Sequence, residues 1–384
     1  MTAEQKLLID ALAQAVAGKP CEMPENVDWR QFVGLCKMHA VEALVYDGLQ
    51  KANLWSQVPE PGQKILTQAY QTAIFRDAQF AHLKKTLTEK LDGAQVPYIL
   101  LKGICLKESY PEPALRTMCD MDILVHTQDY ATLDRIAEEM GAKLGHGDGN
   151  HHNYTFPGGV TVEFHPNLLH HDTPVGTQIN PGWQYAKAGS NYLTPEGFYL
   201  NTLCHLANHF VAGGVGVRFV LDVWVNRHLR MPGFDRSVVE EELNRFELLE
   251  FAQNIEALAE FWFGRGEETP LLEALGEYIL SAGQYGTMDR AVLNSVVLAP
   301  KQSKSSALLK KVFYSREELE DRFPWCQGKP YLLPVAWCTR CFRAVTRRGG
   351  LILKWSKETG KISGEEIAMQ KELLNQFGIR SKEK

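Results

Sequence analysis

The chain predicts an α+β fold, a small mixed sheet between an N-terminal and a C-terminal helical region. Three observations predict it. Residues 1–92 and 191–384 place apolar side chains at helical spacing, while short alternating apolar runs occur only within 93–190. Inside that stretch, Tyr98-Ile-Leu-Leu101 and Ile123-Leu-Val125 are bounded apolar runs of strand length. Pro157-Gly-Gly159 then links two more alternating runs, a hairpin signal. The expected regions are therefore 1–92, 93–190 and 191–384.

In the first region, Leu7, Leu8, Leu12 and Val16 share one helix face, and Gly18-Lys-Pro20 ends the segment. Trp29 to Ala43 and Leu44 to Ala52 read as two further helices around Phe32, Leu35, Val41 and Leu49. A longer helix is expected from Gly62 to about Leu91, and Gly93 to Val96 is the turn into the core. No catalytic constellation appears here; the region reads as packing or acceptor recognition.

The core carries the chemistry. Lys102-Gly103 ends the first strand, and Ile104 to Tyr110 is helical until Pro111 and Pro113. A strand, a glycine and a helix start offer free backbone N–H groups to a phosphate. The second strand enters through Asp120-Met-Asp122. Alternate strand residues face one side, with Cα atoms ~6.6 Å apart at a rise of ~3.3 Å per residue. Two carboxylates placed so repel each other and have no packing value. A cation beside them explains them, and oxygen ligands favour Mg²⁺ or Mn²⁺. Gln128 to Met140 is the next helix, with Tyr130, Leu133, Ile136 and Met140 inward. His151 to Phe156 and Val160 to His165 flank the hairpin turn, and Glu163 sits on the second of them. Three acids on neighbouring strands give the ligand count of a two-metal phosphoryl or nucleotidyl transfer site. Asp148 and Asp172 are the alternatives to Glu163. Asn167 to Ser190 is loop-rich, and His165, His170 and His171 are grouped with it.

Arg116 has two readings, a bidentate phosphate ligand or a salt bridge to Asp120 or Asp122. Beyond Thr194 the chain turns helical again. Pro195 to Phe210 and Val217 to Arg230 are divided by Gly213-Gly-Val-Gly216. His205 and His209 have a zinc-compatible spacing, but no zincin glutamate accompanies them; they read as polar groups packed over the site. Arg218 and Asp222 stand at i, i+4 and are expected to pair.

The pattern Leu101-Lys-Gly103, Tyr110-Pro111, Arg116, Asp120-x-Asp122 and a later strand acid resembles the uncharacterised nucleotidyltransferase family of the DNA polymerase beta-like superfamily. The resemblance extends to His205-x-x-x-His209, Arg218-x-x-x-Asp222 and Leu332-Leu-Pro-Val-Ala-Trp337, and covers most of residues 30–350. It implies a small mixed-sheet nucleotidyltransferase core that binds NTP and Mg²⁺ or Mn²⁺. Carried over by motif, Asp120, Asp122 and Glu163 are the catalytic and metal-holding acids. Lys102, Gly103, Arg116 and Arg218 are the nucleotide contacts. His205, His209 and Asp222 line the active-site wall, with Asp222 a base for an acceptor hydroxyl. One departure stands out: the superfamily's Gly-Ser or Gly-Gly turn is here Lys102-Gly103-Ile104, and Lys102 takes the place of the hydroxyl.

The remaining features narrow the reading. A net charge of −5 argues against a general nucleic-acid binder. Eight cysteines are scattered without a paired framework, which suits reduced thiols in the cytoplasm. The N-terminus begins an amphipathic helix without a basic-then-apolar leader, and no apolar run approaches the ~20 residues of a membrane span. Cys338-Thr-Arg-Cys341 lacks partners for zinc. Residues 301–306 read as a linker, 315–358 as a helical tail broken by Pro324, Pro330 and Pro334, and the last ~20 residues as frayed. The expected activity moves an NMP from an NTP to an acceptor, with pyrophosphate released. P-loop and protein-kinase motifs are absent. The acceptor, whether protein, RNA end or small molecule, has no readable motif. The alternatives are a catalytically degenerate nucleotide- or protein-binding module, and a phosphotransferase moving the γ-phosphate.

Overall fold

Local capping sets the first helix. Thr2 and Gln5 cap each other at the start of α1 (Ala3–Ala17), and Gly18 closes it at φ 66°. The computed structural model describes residues 1–145, 152–169, 179–230, 234–298, 316, 319–320, 323–326, 328–340 and 359–380. Leu7, Leu8, Leu12 and Val16 are all buried, as their one-face spacing predicts. The next boundary differs from expectation. α2 (Trp29–His39) and α3 (Glu42–Lys51) part at Ala40, at φ 52°, and not after Ala43. Glycine or asparagine would announce such a turn, and alanine does not. α4 (Glu60–Gly93) is 34 residues long and buries Leu66, Phe80, Leu83, Leu87 and Leu91.

Five strands follow in the order β1-β2-β5-β4-β3. β1 (Tyr98–Leu100) pairs antiparallel with β2 (Asp120–Val125), which pairs parallel with β5 (Val160–His165). β4 (His152–Phe156) and the short β3 (Lys143–Leu144) continue the sheet antiparallel. Gly158 and Gly159, at φ 86° and 74°, make the turn between β4 and β5. α5 (Lys102–Leu106) lies between β1 and β2, and α6 (Tyr130–Glu139) buries Leu133 and Ile136 in the crossover toward β3. The sheet is thus mixed, with its one parallel junction between the two acid-bearing strands.

The C-terminal helices are α7 (Pro195–Ala212), α8 (Val217–Val225), α9 (Arg236–Arg245), α10 (Leu249–Phe263), α11 (Pro270–Leu280) and α12 (Met288–Val297). A π-turn, Asn226–Arg230, prolongs α8. One apolar core runs through all three regions, joining Leu7 and Phe32 to Ile123 and Phe164 of the sheet and to Phe210 and Phe251. α1 packs directly on α10, so the N-terminal and C-terminal helical regions meet.

Two expectations about the tail change. Pro334 does not break a helix; it lies in the first turn of the helical segment 333–340, where its missing N–H costs nothing. The last residues are not frayed throughout. α13 (Gly364–Gln376) starts at a reciprocal Ser363–Glu366 cap, and Leu374 and Phe377 are buried. Ser-x-x-Glu was the sequence signal, hidden among the charges that cover the solvent face. The linker at 301–306 and Cys341 lie outside the described residues. Among the described residues, no helix is long and apolar enough to cross a membrane.

Candidate active site

The parallel junction builds the site. Its register sets Asp122 beside Glu163 and Asp120 beside Thr161, so strand alternation brings Asp120, Asp122 and Glu163 to one face. His165, two residues beyond Glu163, shares that face. His165 donates from Nε2 to Asp122 Oδ1 at 2.7 Å and lies 3.5 Å from Glu163 Oε2. Asn153, opposite Glu163 on β4, donates to its Oε1 at 3.2 Å.

Lys102 reaches the same carboxylate. Its backbone sits in the left-handed region at φ 46°, a conformation that costs a non-glycine residue of order 1 kcal/mol or more. From there Nζ donates to Asp122 Oδ1 at 3.0 Å. Burial alone would raise the Asp122 carboxyl, but Lys102 and His165 outweigh it and hold the group far below the usual carboxylate range. Asp120 moves the other way. Burial, with the charges of Asp122 and Glu163, pushes it up to about 6.

That opposition is the test for a cation. Ligand atoms of Asp122, Glu163 and His165 all lie within 4.8 Å of one another, and Asp120 stands one strand pair further along. Crowded acids, Asp122 buried and Asp120 and Glu163 half-buried, with a nitrogen beside them fit a divalent ion, and the imidazole suits Mn²⁺ as well as Mg²⁺. Sequence reasoning placed His165 beside the loop histidines and missed it as a donor. Its alternation with Glu163 in Val160-Thr-Val-Glu-Phe-His165 was the available signal.

The acids form the floor of a cleft of about 400 Å³. Its far wall is helical. His205 and His209 stand one turn apart on α7, with ring centroids 4.4 Å apart, and His209 lies 5.5 Å from the Phe219 ring of α8. Burial keeps both imidazoles neutral at neutral pH, His205 well below its ordinary value and His209 at about 4. They line the cleft and join no cluster of three metal ligands among the described residues.

The clamp between wall and floor corrects two expectations. Arg116 does not pair with Asp120 or Asp122. It forks onto Asp222, Nε to Oδ1 at 2.8 Å and Nη2 to Oδ2 at 2.6 Å, and Tyr110 donates to Oδ1 at 2.6 Å. Arg218 therefore does not pair with Asp222 either. It donates from Nη1 to Thr117 O at 2.9 Å, and the Gln284 amide, oriented with its oxygen inward, accepts from Nη2 at 2.7 Å. Both oxygens of Asp222 are taken up by Arg116 and Tyr110. Arg218 is buried with no carboxylate partner among the described residues, a cation facing the cleft.

Gly103 also acquires a different reason. A Cβ there would meet Arg116 Nη1 at 2.9 Å, so the glycine admits the clamp. Gln284 and Tyr285, from the distant α11–α12 connection, complete the rim and carried no motif. His170, His171, Asp148 and Asp172 lie outside the described residues.

No curated protein and no solved structure matches the chain. Comparison with protein families finds a match over residues 25–264 to a family described as uncharacterised nucleotidyltransferase. The matched span includes every acid and every cation of the cleft floor and clamp, and stops short of Leu332–Trp337. On that match, across more than half its length, the chain belongs to the uncharacterised nucleotidyltransferase family.

Proposed function

We propose that the protein transfers an NMP from an NTP to an acceptor and releases pyrophosphate. The observation that carries this reading is the parallel β2–β5 pairing, which sets Asp122 against Glu163 on the floor of a cleft that Arg218, a buried cation with no carboxylate partner among the described residues, also lines. Asp122, Glu163 and His165, with Asp120 completing the set, would hold Mg²⁺ or Mn²⁺. When bound there, the ion supplies charge neutralisation at the α-phosphorus. Lys102 and Arg218 flank the triphosphate as positive groups. The acceptor oxygen bonds to the α-phosphorus, the bond to the β-phosphate oxygen breaks, and its electron pair leaves with pyrophosphate. Glu163, the more exposed of the two facing carboxylates, takes the acceptor's proton. The neutral His205 and His209 border the acceptor side without adding charge. The setting proposed is cytoplasmic; Cys21, Cys36, Cys105, Cys119, Cys204, Cys326 and Cys338 are all free thiols.

One observation favours a second reading. Lys102 already donates to Asp122 Oδ1, a carboxylate that the metal would need, which suits a degenerate module that binds a nucleotide without turnover. ATP labelled separately at its α and γ phosphates, with lysate as acceptor source, separates the readings. Label entering from α but not γ, and lost in Asp120→Ala, is the expected result. Entry from γ alone makes the protein a kinase. Mg–ATP binding with no entry from either position makes it the degenerate module.

A further inference from the structure

Behind the Arg116–Met118 segment lies a second cavity, of about 450 Å³. Helix α4, the α2–α3 junction and the loop from Lys107 to Met118 border it, and one side opens to solvent. Its walls are lined by Ala43, Ala69, Thr72, Ala73 and Ala114. Side chains this short leave open a space that leucines would fill to the usual interior density. Ile65 and Phe80 give it an apolar side.

The charge around it is one-sided. Lys37, Arg76, Lys107 and Arg116 border the space, against Glu42 and Asp77. Asp77 is committed to Lys107, and Arg116 to Asp222. Arg76 has neutral partners among the described residues: Gly158 O at 3.4 Å, Gly159 O at 3.2 Å and the Phe80 ring at 5.3 Å. Lys107 is only 6% exposed, and its ammonium is held by Asp77. With Lys107 and Arg116 paired, Lys37 and Arg76 remain against Glu42, an excess of one positive charge that a bound anion would relieve.

We propose that this cavity is a second binding site, for a small anionic molecule carrying phosphate or carboxylate groups. Its volume lies within the usual range for small-molecule sites. Arg116 and Met118 border both this space and the nucleotide cleft, so the two sites would stand back to back across one short segment.

The test titrates inorganic phosphate and citrate separately into the full chain by calorimetry, with no nucleotide present. At least one probe binds the wild type, and the better probe assigns phosphate or carboxylate as the preferred group. Arg76→Gln weakens that binding about tenfold or more, the worth of a charge-assisted contact. Ala69→Leu, which fills the space and removes no charge, abolishes it, while Lys102→Gln in the nucleotide cleft leaves it unchanged. Circular dichroism confirms that each variant is folded, and the two cavity variants act by independent means. Binding lost in Lys102→Gln but kept in Arg76→Gln and Ala69→Leu would place the anion in the nucleotide cleft and overturn the proposal. No binding of either probe by the wild type overturns it as well. None of these outcomes depends on nucleotidyl transfer.

Discussion

Asp122 and Asp222 are both buried, both face the same cleft, and both accept two or more charge-assisted or hydroxyl hydrogen bonds. Their surroundings differ in one respect. Asp222 meets a single guanidinium in a fork, with the Tyr110 hydroxyl filling the remaining place, and belongs to no cluster of three metal-ligating groups among the described residues. Asp122 shares its face with Asp120 and Glu163, and one ammonium and one imidazole cannot balance three acids. A matched buried pair holds architecture together, whereas an unmatched cluster holds energy that a ligand can release.

The largest effect is expected on the unmatched side. Asp122→Asn should lower label transfer by about 10²–10³-fold or more, because it removes charge from a site that must bind a cation beside a polyanion. Thermal stability should change little, since asparagine still accepts from Lys102 and one acid fewer repels its neighbours. Calorimetry that found equal Mg–NTP affinity in variant and wild type would remove Asp122 from the metal site.

Asp222→Ala tests the matched side and should act through stability. It strands Arg116 in a buried place, at a cost of about 3–5 kcal/mol, measurable by denaturant unfolding. An Arg116→Met, Asp222→Leu double variant should recover most of that loss. If Asp222→Ala instead kept its stability and lost only turnover, Asp222 would belong to the chemistry and the contrast would fail.

Much of this was legible before folding. Asp120, Asp122 and Glu163 follow strand periodicity, and the hairpin glycines fixed the β4–β5 register that sets Glu163 opposite Asn153. Lys102 was read as a phosphate contact at the strand end, and its ion pair with Asp122 was not foreseen. The clamp was not legible, because Arg116 and Asp222 lie on different elements, 106 residues apart, and local spacing favoured the false Arg218–Asp222 pair. Ala40 and the Gln284–Tyr285 rim were hidden for a similar reason: their positions depend on tertiary packing and no residue type marks them.

A third prediction extends the matched side to the N-terminal helices. His39 is fully buried, accepts from Val217 N–H through Nδ1 at 3.3 Å and reaches Leu280 O from Nε2 at 3.2 Å. Both contacts suit the neutral ring, and burial lowers its pKa from the model-peptide 6.5 to about 4. Above the unfolded value, both states carry a neutral ring and stability is complete. As pH falls from about 6.5 toward 4, the unfolded chain takes up a proton that the folded chain refuses, costing up to about 3 kcal/mol. Unfolding curves across that window should show the decline, and His39→Gln should flatten its own share of it. An unchanged slope in His39→Gln would mean that other groups carry the acid sensitivity.

The smallest effect bears on what Gly103 is for. If the glycine serves phosphate approach, Gly103→Ala should leave the unliganded protein stable and weaken Mg–NTP binding whatever stands at position 116. If it admits the clamp, the added methyl must displace an Arg116 guanidinium that two bonds to Asp222 hold in place. The end of an arginine can yield a few tenths of an ångström, but here each shift lengthens a buried charge-assisted bond. The expected cost is therefore about 1 kcal/mol, the scale of modest overpacking. It should vanish when Arg116→Met has already removed the guanidinium. A double-mutant cycle on stability reads this directly, with a coupling near the whole effect of Gly103→Ala if the two residues act as one unit. Zero coupling, together with weakened nucleotide binding in both backgrounds, would return the glycine to the phosphate and shift Gly103 from the matched side of the cleft to the unmatched one.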